Sequence, residues 1–129
     1  MNELPLAGVR VVEFTHMVMG PTCGMILADL GADVIKLEPP AGDMSRPIGR
    51  TYFYSVNFNK RSVCIETSSD AGKKVVQRLA ASVDAVVANL RPHATGRMGI
   101  TPDVNPNCES SGAVMVPPIV MALAVVASN

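Results

Sequence analysis

Two short β-branched runs bracket one helix-patterned segment near the start of the chain, and this arrangement restricts the fold more than any other feature. Val9-Arg10-Val11-Val12-Glu13-Phe14 and Asp33-Val34-Ile35-Lys36-Leu37-Glu38 are apolar enough to be strands covered on both faces, as strands of parallel sheets are. Between them Gly20-Pro21 places a proline where a first helical turn tolerates it. Met25, Ile26, Leu27 and Leu30 follow at helical spacing, and Gly31 stops the helix. A helix joining two strands in this way implies a right-handed parallel βαβ unit.

The same alternation resumes after an interruption. From residue 41 to 59 Gly, Pro, Ser, Asn and Arg dominate and periodicity vanishes, which predicts a long surface excursion of the kind that is usually functional or disordered. Residues 62–66 read as a third strand. Ser69-Asp70 cap a helix over 71–82 that carries Val75, Val76 and Leu79 on one face. Residues 84–88 supply a fourth strand, followed by the polar turn Asn89-Leu90-Arg91-Pro92-His93. The expected class is α/β, a Rossmann-like parallel sheet with flanking helices. Beyond Pro102 the character changes: a polar stretch leads into a Val/Met/Pro/Ala run with neither alternation nor a helical stripe. That run stays unassigned.

A chain of 129 residues suits a single core. Eleven basic and eleven acidic residues cancel, so no net field steers the chain toward nucleic acid or anionic lipid, and an anionic ligand must be held locally. Cys23, Cys64 and Cys108 lack C-x-x-C spacing, which argues against a disulfide framework and a zinc site and for a reducing cytoplasm. The start of the chain does not read as a signal peptide. The apolar run 112–127 is split by Pro117-Pro118 and falls short of the roughly 20 residues of a membrane span.

Ligands of open α/β sheets bind outside the carboxyl ends of the strands. Three segments qualify: residues 15–20, Thr67-Ser68, and 89–97. A dinucleotide site would use Glu38 on a ribose, but the first turn offers only Gly20 and Gly24 in place of G-x-G-x-x-G. His16 could serve as a base, yet a single histidine with no identifiable partner reads as an ordinary loop residue. Lys60, Arg61, Arg91 and Arg97 are the charges that could meet a phosphorylated ligand, or else a solvated surface.

Taken in order, these blocks resemble the opening of family III coenzyme A transferases, among them formyl-CoA and carnitine CoA transferases. The resemblance rests on residues 6–15, Gly20-Pro21, 27–38, Gly42-Asp43-Met44-Ser45-Arg46, Phe58-Asn59-Lys60-Arg61-Ser62, Asp70-Ala71-Gly72, 84–87, Asn89-Leu90-Arg91-Pro92 and Arg97-Met98-Gly99. It implies that residues 1–106 are the amino-terminal part of the large domain of such an enzyme, with 107–129 an atypical apolar tail, and it implies a homodimer and CoA as ligand without metal. The charge balance and the short apolar run add the expectation of neither nucleic acid nor membrane as partner. The CoA itself would lie against Val18, Met19, Ile65, Glu66, Thr67, Ser68, Asn89, Leu90, Arg91 and Arg97. It also implies transfer between an acyl-CoA and a carboxylic acid through an aspartate nucleophile. The sequence has Pro39 where members often carry a basic residue, and Val18 where some carry glutamine.

None of Asp29, Asp33, Asp43, Asp70, Asp84 and Asp103 stands in that nucleophile's context. The expectation is accordingly an amino-terminal fragment with no catalytic residue, inactive alone, its tail produced by a shifted frame or a deletion. The alternatives are a non-catalytic CoA-binding or subunit-pairing module, and a fragment of an α-methylacyl-CoA racemase.

Overall fold

A computed structural model of the chain describes residues 3–100 and the strand 122–125. Strands β1 (Arg10–Phe14), β2 (Asp33–Glu38), β3 (Arg61–Cys64) and β4 (Ala85–Ala88) pair in parallel. A fifth strand, β5 (Ala122–Val125), adds antiparallel on β4 and gives the spatial order β3-β2-β1-β4-β5. The 3-2-1-4 order of the parallel strands places a topological switch point between β1 and β4, because chain order reverses there.

Helix α1 (Met19–Asp29) covers one face of the sheet, and α3 (Asp70–Ala81) with α4 (Pro92–Arg97) covers the other. Alternation along the strands produces this division. Val11, Val34, Ala85 and Val87 pack with Ala28 and Ala32 on the α1 side. Val12, Phe14, Leu37 and Val83 meet Val76 and Ile65 on the other, where Leu79, Leu90 and Met98 close the layer. Gly31, at φ 104°, turns the chain out of α1 into β2. Ser69 caps α3 by accepting the Gly72 amide at 3.0 Å, as its hydroxyl and position predict.

The segment expected to be an irregular excursion is partly helical. A 3₁₀ turn over Arg46–Ile48 leads into α2 (Arg50–Ser55), which buries Phe53. Six residues are too few to display a helical stripe, so the sequence pattern is silent there. The last two residues of the polar turn read after β4 likewise open α4, with Pro92 at its first position, where a missing N–H costs nothing. Within the apolar tail, 122–125 is β5, and the rest of 107–129, with Asp103 and Cys108, lies outside the described residues. Among the described residues no helix is long and apolar enough to cross a membrane.

Candidate CoA-binding groove

The carboxyl ends of all four parallel strands converge on one groove with two connected chambers. The smaller, about 320 Å³, is walled by Phe14, Thr15 and His16 at the end of β1, Leu37, Pro39, Gly42, Asp43 and Met44 at and beyond the end of β2, Thr67 after β3 and Leu90 after β4. The larger, about 680 Å³, lies between Thr67-Ser68, Lys73 of α3, and Arg97 to Gly99 at the end of α4. Thr67, Ala94 and Met98 line both. One end of the groove therefore presents two cations and two hydroxyls, and the other presents Phe14, Leu37, Leu90 and Met98.

Of the residues expected at the ligand, Thr67, Ser68, Leu90 and Arg97 line this groove. Among the described residues Arg97 has no carboxylate partner. Asn89 acts on the wall rather than in the groove: its side chain accepts the His16 amide at 3.1 Å and donates to the His16 carbonyl at 2.9 Å. Ile65 is buried in the core. Glu66 is exposed and accepts from the Ser68 amide at 3.0 Å and hydroxyl at 2.7 Å, bonds that lower its pKa. Val18 and Met19, 43% and 73% exposed, stand at the start of α1 and line neither chamber. Arg91 is exposed at the start of α4, where its carbonyl accepts the Ala94 and Thr95 amides.

The cationic cluster suggested by the sequence does not assemble. Arg61 and Asp33 are the first residues of β3 and β2, and they pair at the opposite, amino-terminal edge of the sheet, with Arg61 Nε donating to Asp33 Oδ1 at 2.8 Å. Lys60 is buried and donates to Glu13 Oε1 at 2.9 Å, the Pro21 carbonyl at 2.7 Å and Asn57 Oδ1 at 3.0 Å. Burial lowers its pKa, against the pull of Glu13. Glu38, the acid a dinucleotide would need, is fully engaged. It accepts Arg46 Nε and Nη2 at 2.6 Å each, the Ser62 hydroxyl at 2.6 Å and the Asp43 amide at 3.0 Å. Burial would raise its pKa, but these donors outweigh it and hold the group at about 2.

Beneath the smaller chamber lies a buried charged network that the sequence pattern hides. Glu13 and Lys36 are register partners on neighbouring strands, on the α1 side, and their side chains are 0% and 1% exposed. Lys36 Nζ reaches Asp43 Oδ2 at 2.8 Å, the Thr15 carbonyl at 2.9 Å and Glu13 Oε1 at 3.3 Å. Ser45 donates to Asp43 Oδ1 from its amide at 2.7 Å and from its hydroxyl at 2.5 Å. Desolvation opposes ionisation of Asp43, but the Lys36 and Ser45 donors prevail and its pKa falls. Among the described residues Glu13 Oε2 has no hydrogen-bond partner, and it faces Gly24 of α1 so closely that a Cβ there would overlap it. The available signal was parity: Glu13 shares a face with Val11, and Lys36 with Val34, both core positions. Among the described residues no group of His, Cys, Asp and Glu is placed to hold a metal ion.

Comparison with known proteins agrees with this architecture. The model of CoA-transferase family III matches residues 6–107. The chain is 41% identical over 110 residues to the formyl-CoA:oxalate CoA-transferase of Streptomyces coelicolor, covering 80% of this chain and 27% of that protein. A protein of Mycobacterium tuberculosis named "Probable fatty acyl-CoA transferase" is also 41% identical, over 108 residues, covering 77% of this chain and 27% of the relative. Among solved structures, a CAIB/BAIF family protein from Brucella suis superposes with a TM-score of 0.77 at 34% identity, over 82% of this chain and 32% of that one. A Mycobacterium tuberculosis protein superposes at 0.75 with 41% identity, over 80% and 31%. The chain thus spans about a quarter of the length of these curated relatives. On the family match, the relatives and the shared fold, the chain belongs to CoA-transferase family III.

Proposed function

We propose that this chain supplies the CoA-binding groove of an enzyme that moves CoA between an acyl-CoA thioester and a carboxylic acid. The observation that carries the proposal is the polarity of the groove. Lys73 and Arg97 flank its wide end, where the phosphates and ribose of CoA would be held by charge-assisted hydrogen bonds. Phe14, Leu37, Leu90 and Met98 wall its narrow end, which suits the pantetheine arm. The formyl-CoA:oxalate CoA-transferase likeness favours a small acyl group and a small carboxylic acid as the exchanging pair.

By itself the chain is read as lacking the acyl-accepting nucleophile. Asp43 is the aspartate that lines the narrow chamber, and its side chain is 1% exposed with both oxygens engaged by Lys36 and Ser45. A carboxylate buried in this way and stabilised by three donors is a poorly exposed and weakened nucleophile toward a thioester carbonyl. Free Cys23 and Cys64 suit a reducing cytoplasm, and a homodimer is the assembly proposed for the whole enzyme.

The test combines two measurements on the chain. Adding CoA should shift the amide resonances of Thr67, Ser68, Leu90 and Arg97 while leaving those of Asp33 and Arg61 in place. Exchange of isotope between a labelled carboxylic acid and its CoA thioester should be absent. Shifts confined to the amino-terminal sheet edge would overturn the groove, and measurable exchange would overturn the missing nucleophile.

A further inference from the structure

We infer that Lys36 is a positioning residue that sets the width of the narrow chamber, by tying the Thr15 carbonyl on one wall to the Asp43 carboxylate on the other. The inference rests on the groove taking CoA, and it concerns a side chain that touches no part of that ligand.

Thr15 and Asp43 both line the chamber, yet they belong to loops that follow different strands, β1 and β2. Lys36 Nζ stands between them, 2.9 Å from the Thr15 carbonyl and 2.8 Å from Asp43 Oδ2. Its side chain is 1% exposed, so the ammonium sits behind the wall and the ligand never meets it. Glu13 shares the load: its Oε1 accepts from Lys36 at 3.3 Å, Lys60 at 2.9 Å and the Thr15 hydroxyl at 3.1 Å.

Stability alone is a poor reason for such a cluster. Buried ion pairs roughly break even against apolar residues of similar size, because desolvation offsets their attraction. What they provide is a fixed arrangement, since each donor has one direction in which it is satisfied. Each loop is also held on its own side, the first by the Asn89–His16 bonds and the second by the Asp43 and Arg46 bonds to Glu38, and Lys36 joins the one to the other. Asp43 passes the constraint on through Ser45, which is 0% exposed, and so fixes the chain next to Met44, another wall residue. A wall held in advance spares the ligand the cost of ordering it on binding.

The consequence is selective. The narrow chamber takes the pantetheine arm, whereas the nucleotide is held at Lys73 and Arg97 in the wide chamber, which neither Thr15 nor Asp43 lines. Loosening the Lys36 tie should weaken the whole of CoA but not its nucleotide portion alone.

The experiment measures dissociation constants of CoA and of adenosine 3′,5′-bisphosphate, which lacks the pantetheine arm, for the chain and for Lys36→Met. Asp43→Asn, isosteric and retaining its Ser45 bonds, is measured in parallel so that a folding defect in the first variant leaves the question answerable. The expected result is a CoA affinity lowered about tenfold in either variant, the scale of re-ordering one or two wall side chains, with bisphosphate affinity unchanged. Equal losses for both ligands would mark a purely structural role and overturn the inference, as would no loss for CoA. If the unaltered chain bound the bisphosphate but gained nothing from the pantetheine arm, the chamber assignment would fall and Lys36 with it. If it bound neither ligand, the CoA reading itself would be the casualty.

Discussion

Asn89 and His16 clasp one another across the point where the sheet changes direction. The Asn89 carboxamide accepts the His16 amide at 3.1 Å and donates to the His16 carbonyl at 2.9 Å, so a side chain completes the bonding of a backbone that has just left β1. These residues follow β1 and β4, the strands that flank the switch point, and His16 lines the narrow chamber. Gly20 makes the clasp possible, because a Cβ there would lie 2.6 Å from Thr15 Cβ and 2.9 Å from Asn89 Cγ.

Asn89→Ala removes both bonds and leaves two part-buried backbone groups short of partners. It should cost about 1–3 kcal/mol in urea unfolding. Asn89→Asp should not restore the loss, since it still accepts from the His16 amide but sets a carboxylate against the His16 carbonyl. Stability equal to the unaltered chain in both variants would show that the clasp is incidental.

Gly24 is required for a different reason. Glu13 Oε2 occupies the space a side chain would need, and Glu13 is held by Lys36 and Lys60. Gly24→Ala should destabilise by about 1–3 kcal/mol, as overpacking of a filled interior does. Gly96, in α4, has no atom of the described residues beyond its own helix backbone within 4 Å of its would-be Cβ, so Gly96→Ala should be neutral or stabilising by up to about 1 kcal/mol. Paired urea titrations read this contrast directly.

The strands flanking α1 were legible because short β-branched runs such as Val9–Phe14 and Asp33–Glu38, separated by a helix-patterned segment, suit a buried parallel sheet. Their polar members were harder to read. Lys36 looks like a solvent-facing residue in an otherwise apolar run, and only its parity with Val34 marks it as inward. Lys60 and Arg61 are adjacent in sequence yet end in different places, one under the β1–α1 loop and one at the far sheet edge. Which way a strand's first residue points depends on where the strand begins, and pattern alone leaves that open by a residue or two. Thr67, Ser68, Leu90 and Arg97 reach the groove because strand ends and a short helix deliver them there, whereas Lys73 sits in a helix whose stripe reads only as amphipathic.

Glu38 links stability to pH. Its carboxyl ionises at about 2 in the fold against an ordinary value of 4.5. A lowered folded pKa contributes stability that is fully present above 4.5 and is lost as pH falls toward 2. Arg46→Met deletes the guanidinium that makes two of the bonds to Glu38 and also stacks 3.9 Å over the Phe53 ring. The Glu38 carboxyl resonance should then titrate higher, and the chain should lose stability at neutral pH relative to pH 2. An unchanged titration midpoint would contradict the assignment.

Arg97 and Arg61 make a matched pair of opposite expectation. Arg97 faces the wide chamber, and Arg61 is bound to Asp33 at the other edge. Arg97→Ala should weaken CoA binding by roughly 10- to 100-fold, the worth of one charge-assisted hydrogen bond, and should flatten its salt dependence. Arg61→Ala should leave CoA affinity unchanged. A reversal of the two would place the ligand on the wrong end of the sheet.

The most direct test is a calorimetric titration of the chain with CoA at low salt. A groove that holds the nucleotide at Lys73 and Arg97 and the arm against Phe14 and Leu90 predicts one site of micromolar affinity, about −8 kcal/mol, weakened roughly 10- to 100-fold in Arg97→Ala. No heat with CoA at millimolar concentration, from a chain whose amide spectrum shows it folded, would contradict it.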